Sequence, residues 1–291
     1  MKDKVFILGL GCQKGGSTWL HRQLQSNQRV DMGVFKEYHV FDQLDRIGEE
    51  TAPKFVENLQ NKLEQLRLNE NFGEKYNQLS LRMSFFQDTE KYYNYFEKLW
   101  GGGGSSITHV GDITPAYATL SQDVFQRIKS EFHRRGFTLK VIFVMRDPID
   151  RCWSAARMHF RKKVSRGLSS THYDDEISVL KTRFKSAIYQ QRTRYETTIG
   201  RLEEVFASKD LFFCLYENLF EPSTLSDLKK YLDIDDLDFD TSRRYNSTEC
   251  KVHTLDATLE REIFDFYSDT YRFCAVRFNA QEIWRGYQYE A

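Results

Sequence analysis

Short apolar runs rich in β-branched and aromatic side chains recur at Val5–Leu10, Ile107–Val110, Lys140–Met145 and Leu211–Tyr216. Each is followed by a segment of helical periodicity: Ser17–Ser26, about Ser121–Arg135, Ile149–Arg161 and about Pro222–Leu232. Strands alternating with helices predict an α/β fold, a central parallel sheet flanked by helices. Between the first two strands, "APKFVENLQNKLEQLRL" and "DTEKYYNYFEKLW" predict inserted helices. Farther on, Ile177, Leu180, Phe184, Ile188, Tyr195, Ile199, Leu202 and Phe206 form one apolar stripe, which predicts a single long helix from about Asp175 to Phe206. No internal repeat is present. "GGGGSS" at Gly101–Ser106 reads as a surface loop ahead of a strand. The expectation is one domain over residues 1–291, with helical insertions at about 50–100 and 170–207.

Charge sharpens this picture. Lys and Arg number 42 and so do Asp and Glu, so bulk attraction to nucleic acid or to an anionic membrane is not expected. Any basic site must therefore be local. The five cysteines are scattered without C-x-x-C spacing, which indicates neither a disulfide framework nor a zinc site. The apolar run in "MKDKVFILGLG" is too short for a signal peptide and leads into glycines. No stretch approaches the roughly 20 apolar residues of a membrane span. A cytoplasmic protein is expected.

Chemistry enters at the turn after the first strand. In "VFILGLGCQKGGSTWLHRQLQ" a glycine-rich turn carries Lys14, and a helix begins at Ser17-Thr18. Backbone amides at such a helix N-terminus can converge on an anion, with the lysine as a point charge. In the nucleotide P-loop the lysine follows the last glycine, whereas Lys14 precedes Gly15 and Gly16. The bland alternative is a plain strand–helix turn with a solvated lysine.

The string "GCQKGGSTWL" resembles the 5′-phosphosulfate loop of sulfotransferases that use 3′-phosphoadenosine 5′-phosphosulfate (PAPS). Three further motifs follow in the same order as in that family, so the resemblance covers roughly Val5 to Leu232. In "VIFVMRDPIDRCWSAARMHF" the resemblance makes Arg146 and Ser154 the holders of the 3′-phosphate. A guanidinium suits bidentate phosphate binding, and a hydroxyl two turns into the helix can add a bond. "FKEYHVFD" is similar to a segment of the heparan-sulfate and related carbohydrate sulfotransferases. That likeness makes Glu37 the catalytic base, with His39 and Asp42 supporting it or orienting the acceptor. "HVGDITPAYATL" looks like the family's Glu-Lys-[Thr/Ser]-Pro-x-Tyr segment, with Asp112 in place of the glutamate and Ile113 where many relatives carry a lysine.

The resemblance thus implies catalytic roles for Lys14, Glu37, His39 and Asp112, and cofactor contacts from Lys14, Gly15, Gly16, Ser17, Thr18, Trp19, Arg146 and Ser154. PAPS would be the sulfuryl donor and PAP the product, with no metal, and the acceptor would be a hydroxyl or amine of a carbohydrate or small molecule. The partners implied are that nucleotide and an unidentified acceptor, with neither nucleic acid nor membrane. Weaker signals are the basic run Arg157–Lys163 with His159 inside it, and "SRRYNSTECK" at Ser242–Lys251, where the family closes a loop over the nucleotide. The rival readings are an ATP- or GTP-dependent phosphotransferase, with Asp112 or Asp147 as the magnesium ligand, and a non-catalytic nucleotide-binding module.

Overall fold

The computed structural model describes residues 4–69, 72–102, 106–167, 173–242 and 255–290. Its centre is a five-stranded, wholly parallel sheet in the order β2-β3-β1-β4-β5. The strands are β1 (Val5–Gly9), β2 (Val30–Asp31), β3 (His109–Ile113), β4 (Thr138–Met145) and β5 (Leu211–Leu215). Successive side chains in β1 and β4 point to opposite faces, and both faces are buried. Phe6, Leu8, Val141 and Phe143 enter one core, while Val5, Ile7, Ile142 and Val144 enter the other. That is why these strands read as continuous apolar runs.

On the Val5/Ile7 face lie α1 (Ser17–Gln25) and α10 (Pro222–Leu232), through Leu20, Leu24, Leu225 and Leu228. The Phe6/Leu8 face carries the larger core and most of the aromatic content. There Phe6 stacks on Phe132 of α5 (Gln122–Arg134) with ring centroids 3.7 Å apart. Phe96 of α4 (Glu90–Gly102) meets Phe6 edge-on at 5.0 Å. Before α4 come α2 (Phe41–Leu68) and α3 (Glu74–Gln87), so the first insertion holds three helices, and α3 was not anticipated. Helix α6 (Pro148–Val164) follows β4, and α11 (Ala257–Phe266) and α12 (Ser268–Phe278) close the chain.

Three expectations are corrected. The long helix predicted over Asp175–Phe206 is three helices: α7 (Tyr173–Arg183), α8 (Ala187–Thr193) and α9 (Tyr195–Val205). Ser186 is extended (ψ 151°) and Arg194 leaves the helical region (ψ 80°), which ends α7 and α8. These breaks redirect the backbone so that the Tyr195 hydroxyl donates to the Arg146 carbonyl at 2.7 Å. The second predicted strand slides toward its C-terminus, because pairing with β1 sets Asp112 opposite Leu8 and Ile113 opposite Gly9. Of the glycine run, Gly101 and Gly102 end α4, and 103–105 lie outside the described residues. The predicted C-terminal loop at Ser242–Lys251 also lies outside them, apart from Ser242.

Candidate active site

In an open parallel sheet, ligands sit beyond the carboxyl ends of the strands, where connections leave in opposite directions. Here β1 is that point, with β3 on one side and β4 on the other. A cavity of about 580 Å³ opens there.

Its floor is the lysine-glycine turn. The turn leans on β4, with Leu10 N–H donating to the Ile142 carbonyl at 2.9 Å and Val144 N–H to the Gly11 carbonyl at 2.6 Å. Lys14 (φ 77°) and Gly16 (φ 83°) both take left-handed backbone conformations that reverse the chain into α1. A Cβ on Gly16 would also meet Leu219 Cδ2 at 2.9 Å. Lys14, Gly16, Ser17 and Thr18 border the cavity, where the first-turn amides of α1 emerge. Gly15 is a correction. It lies buried beneath the turn and its N–H donates to the Cys12 carbonyl at 3.0 Å, so that amide is not available to an anion. Trp19 touches the cavity but serves mainly as packing, its indole donating to the Asp240 carbonyl at 2.9 Å and lying against Phe239.

Arg146 leaves the end of β4, and Ser154 lies on the α6 face that borders the same cavity. The Arg146 guanidinium donates from Nη1 to the Lys14 carbonyl at 3.1 Å and covers the Tyr216 ring at 4.8 Å. Its Nε is buried with no hydrogen-bond partner among the described residues. Asp147, beside it, is not a site residue. It caps α6 by accepting from Ile149 N–H at 2.9 Å, and also accepts from the Tyr271 hydroxyl at 2.6 Å and Gly286 N–H at 2.8 Å.

Around the cavity stand Lys14, Lys36, Arg146, Arg157, Lys162 and Arg192 against only Glu37 and Asp150. Asp150 is paired with Arg285 at 2.9 Å. A chain of zero net charge thus concentrates positive charge in one place. Burial, followed by repulsion from Arg161, Arg146, Lys36 and Arg157, pulls the Lys14 ammonium down to about 8.

Opposite the turn, the Phe35–Asp42 segment forms a chain of alternating charge. Glu37 accepts from Lys36 on one oxygen and meets His39 Nε2 at 3.0 Å on the other, while His39 Nδ1 meets Asp42 at 3.0 Å. Burial opposes the charge on both Glu37 and His39. The hydrogen bonds outweigh it, holding His39 up at about 9 and Glu37 down at about 2. Glu37 and His39 border the cavity; Asp42, 2% exposed, supports His39 from behind. Arg82 of α3 donates to the Glu37 carbonyl at 2.9 Å, a contact from a helix the sequence did not reveal.

Asp112 is the main correction among the expected site residues. It is completely buried, outside the cavity, and accepts from the hydroxyls of Thr114 at 2.6 Å, Tyr92 at 2.9 Å and Tyr117 at 2.9 Å. A carboxylate so enclosed cannot touch an acceptor. Ile113 points into the α1-side core, 1% exposed. His159 does line the cavity, with Nδ1 3.1 Å from the Tyr189 hydroxyl, and burial with surrounding Arg183, Lys162 and Arg192 pushes it down to about 4. A ring held neutral in this way has no acidic proton to give at pH 7. Tyr216, read as the end of a core strand, and Phe220 just beyond it form an aromatic wall. Their aromatic spacing just past β5 was the available signal.

Among the described residues, no group of three or more His, Cys, Asp or Glu gathers to hold a metal ion, and no helix is long and apolar enough to cross a membrane.

A model of the sulfotransferase family matches residues 5–235. No curated protein matches the chain. Among solved structures, the sulfotransferase from Alicyclobacillus acidocaldarius is similar at 18% identity and a TM-score of 0.58, over 95% of this chain and 96% of that one. The sulfotransferase domain from the curacin biosynthetic pathway aligns at 16% identity and a TM-score of 0.45, over 80% of this chain and 75% of that one. The sulfotransferase domain of the Synechococcus PCC 7002 olefin synthase gives 16% and 0.43, over 81% and 75%.

Proposed function

The chain belongs to the sulfotransferase family, and from that premise we propose that it moves a sulfuryl group from PAPS to a hydroxyl or amine. The observation that carries the reading is one cavity in which the α1 N-terminus with Lys14 faces Arg146 and Ser154, ringed by six Lys or Arg on a neutral chain. The volume, about 580 Å³, falls among small-molecule sites of about 300–1,000 Å³. The Nε of Arg146, buried without a hydrogen-bond partner among the described residues, fits an anion bound there.

PAPS would supply the activated sulfuryl group. On this reading, Arg146 and Ser154 take the 3′-phosphate, the amides of Gly16 to Thr18 take the 5′-phosphate, and Tyr216 and Phe220, with Trp19 packed behind Phe220, offer aromatic surface for the base. Glu37 takes the proton from the attacking acceptor atom. Lys14 meets the negative charge that grows on the departing phosphate oxygen, where a preplaced cation is worth most. The likeness of Phe35–Asp42 to the heparan-sulfate-type enzymes favours a carbohydrate or other small acceptor, and the whole chain acts as one sulfotransferase domain in the cytoplasm.

A phosphotransferase would need a carboxylate free for magnesium after a strand. Both candidates are engaged, Asp112 by three hydroxyls and Asp147 by its cap, which counts against that reading. Calorimetry with PAP and ATP, followed by an acceptor screen with sulfur-labelled PAPS, tests the proposal. Tight PAP binding, weak ATP binding and label transfer support it. Preference for ATP, or PAP binding with no transfer to any acceptor, would replace it with one of the rivals.

A further inference from the structure

Asp112 does not line the cavity, yet two of its three hydrogen bonds lead to the segment that carries Glu37 and His39. The Thr114 hydroxyl, which donates to Asp112 at 2.6 Å, accepts from Tyr38 N–H at 2.9 Å. The Tyr117 hydroxyl, which donates to Asp112 at 2.9 Å, accepts from Val40 N–H at 3.1 Å. These amides lie immediately before and after His39, whose backbone is left-handed (φ 57°). A non-glycine residue in that region persists only where its surroundings fix it.

Proton direction explains why the hub is a carboxylate. Each hydroxyl has one proton and must turn lone pairs toward a backbone amide. An ionised carboxylate only accepts, so it draws both protons inward and leaves those lone pairs facing the loop. Tyr92 completes the set from α4, donating at 2.9 Å. An amide or a hydroxyl at the hub would compete as a donor and reverse one of these bonds.

The geometry points to Asp112 as the positioning residue of the Glu37–His39 loop, acting through the Thr114 and Tyr117 hydroxyls on the amides that flank His39. This rests on the sulfotransferase reading for its catalytic consequence, but not for its structural one. The charged groups that act on His39 among the described residues are Asp42 and Glu37 on its own segment and Asp112 from β3, while Lys36 and Arg82 of α3 engage Glu37 beside it. Loosening the loop must loosen the first two contacts.

The test uses Thr114→Val, which keeps shape and loses the hydroxyl, Thr114→Ser, which restores it, and Tyr117→Phe. The His39 ring is followed by NMR across pH, PAP affinity by calorimetry, and turnover with an acceptor found by label transfer. Thr114→Val and Tyr117→Phe should each bring the His39 titration down from about 9, and Thr114→Ser should keep it there. Turnover should fall by about 100-fold, the size of a misplacement near 1 Å, with PAP affinity unchanged. Folded variants that keep both the wild-type His39 titration and wild-type turnover would overturn the inference. Should Thr114→Val fail to fold, Tyr117→Phe, which keeps the ring, decides. If wild-type protein does not bind PAP, the sulfotransferase reading fails, and the His39 titration still judges the hub.

Discussion

Replacing Arg146 with alanine separates 3′-phosphate recognition from the general strength of the site. The guanidinium has two tasks in the free protein: Nη1 donates to the Lys14 carbonyl at 3.1 Å, and the planar group covers Tyr216 at 4.8 Å. Losing these contacts loosens the turn and should weaken every adenosine nucleotide alike. The third task, proposed above, is to meet the 3′-phosphate, and it would touch only nucleotides that have one. Comparing PAP with AMP in wild type and variant therefore isolates it, because the shared damage cancels in the ratio. A hydrogen bond to a charged group contributes about 1.5–3 kcal/mol. At about 1.4 kcal/mol per tenfold, wild type should prefer PAP over AMP by at least about 10- to 150-fold, and Arg146→Ala should remove most of that preference. Arg146→Lys keeps the charge without the fork and should fall between them. Isothermal calorimetry at fixed ionic strength measures all six affinities. An unchanged PAP/AMP ratio in Arg146→Ala would refute the placement of the 3′-phosphate, even if both nucleotides bind more weakly.

Lys14→Ala should cut turnover by about 10²–10³-fold while weakening PAP far less, since the charge is needed most in the transition state. Normal kcat with raised KM would make it a binding residue only. Glu37→Gln should lower kcat by about 10²–10⁴-fold with PAP affinity intact, and near-normal turnover would place the base elsewhere. Asp42→Asn removes the strongest support of the His39 charge, so the ring should titrate well below about 9 by NMR. The sign for stability follows. A raised folded pKa contributes fully below the ordinary value near 6.5 and is lost as pH rises through about 9, so in Asp42→Asn that loss should begin at lower pH in urea titrations.

The parts of the fold legible in the sequence were those set by local pattern. β1 and most of β4 are buried on both faces, and the edge strand β5 is half-buried over Leu211–Phe213 but still apolar, so their apolar runs mark them without reference to any partner. Lys14 and Arg146 were legible because a strand end followed by a turn is itself local. β3 was harder, since "HVGDI" mixes polar residues into a fully buried strand. Asp112 looked like a reacting carboxylate because it stands where the resembling family segment carries a glutamate. What makes it structural are hydroxyls at positions 92, 114 and 117, one of them twenty residues earlier on α4. The stripe from Ile177 to Phe206 shows the opposite limit. Periodicity survives across a break when the pieces still face one core, and the seven-residue gap between Ile188 and Tyr195 is where the chain turns at Arg194.

The neutrality of the chain bears on how such a site captures an anion. With 42 charges of each sign, the protein offers little field at a distance, and at physiological salt screening sets in within about 8 Å. Attraction must therefore come from groups already aimed into the cavity. Crowding them has a consequence: the lysine at the centre is driven to about 8, and a neighbouring arginine has a buried nitrogen with no acceptor among the described residues. Both strains have the same sign, and an anion relieves both. A bound phosphate would raise Lys14 back toward full protonation and give Arg146 its missing partner. On the proposed reading the site's repulsion would be part of its selectivity, because a neutral ligand of the same size would fill the cavity and relieve neither.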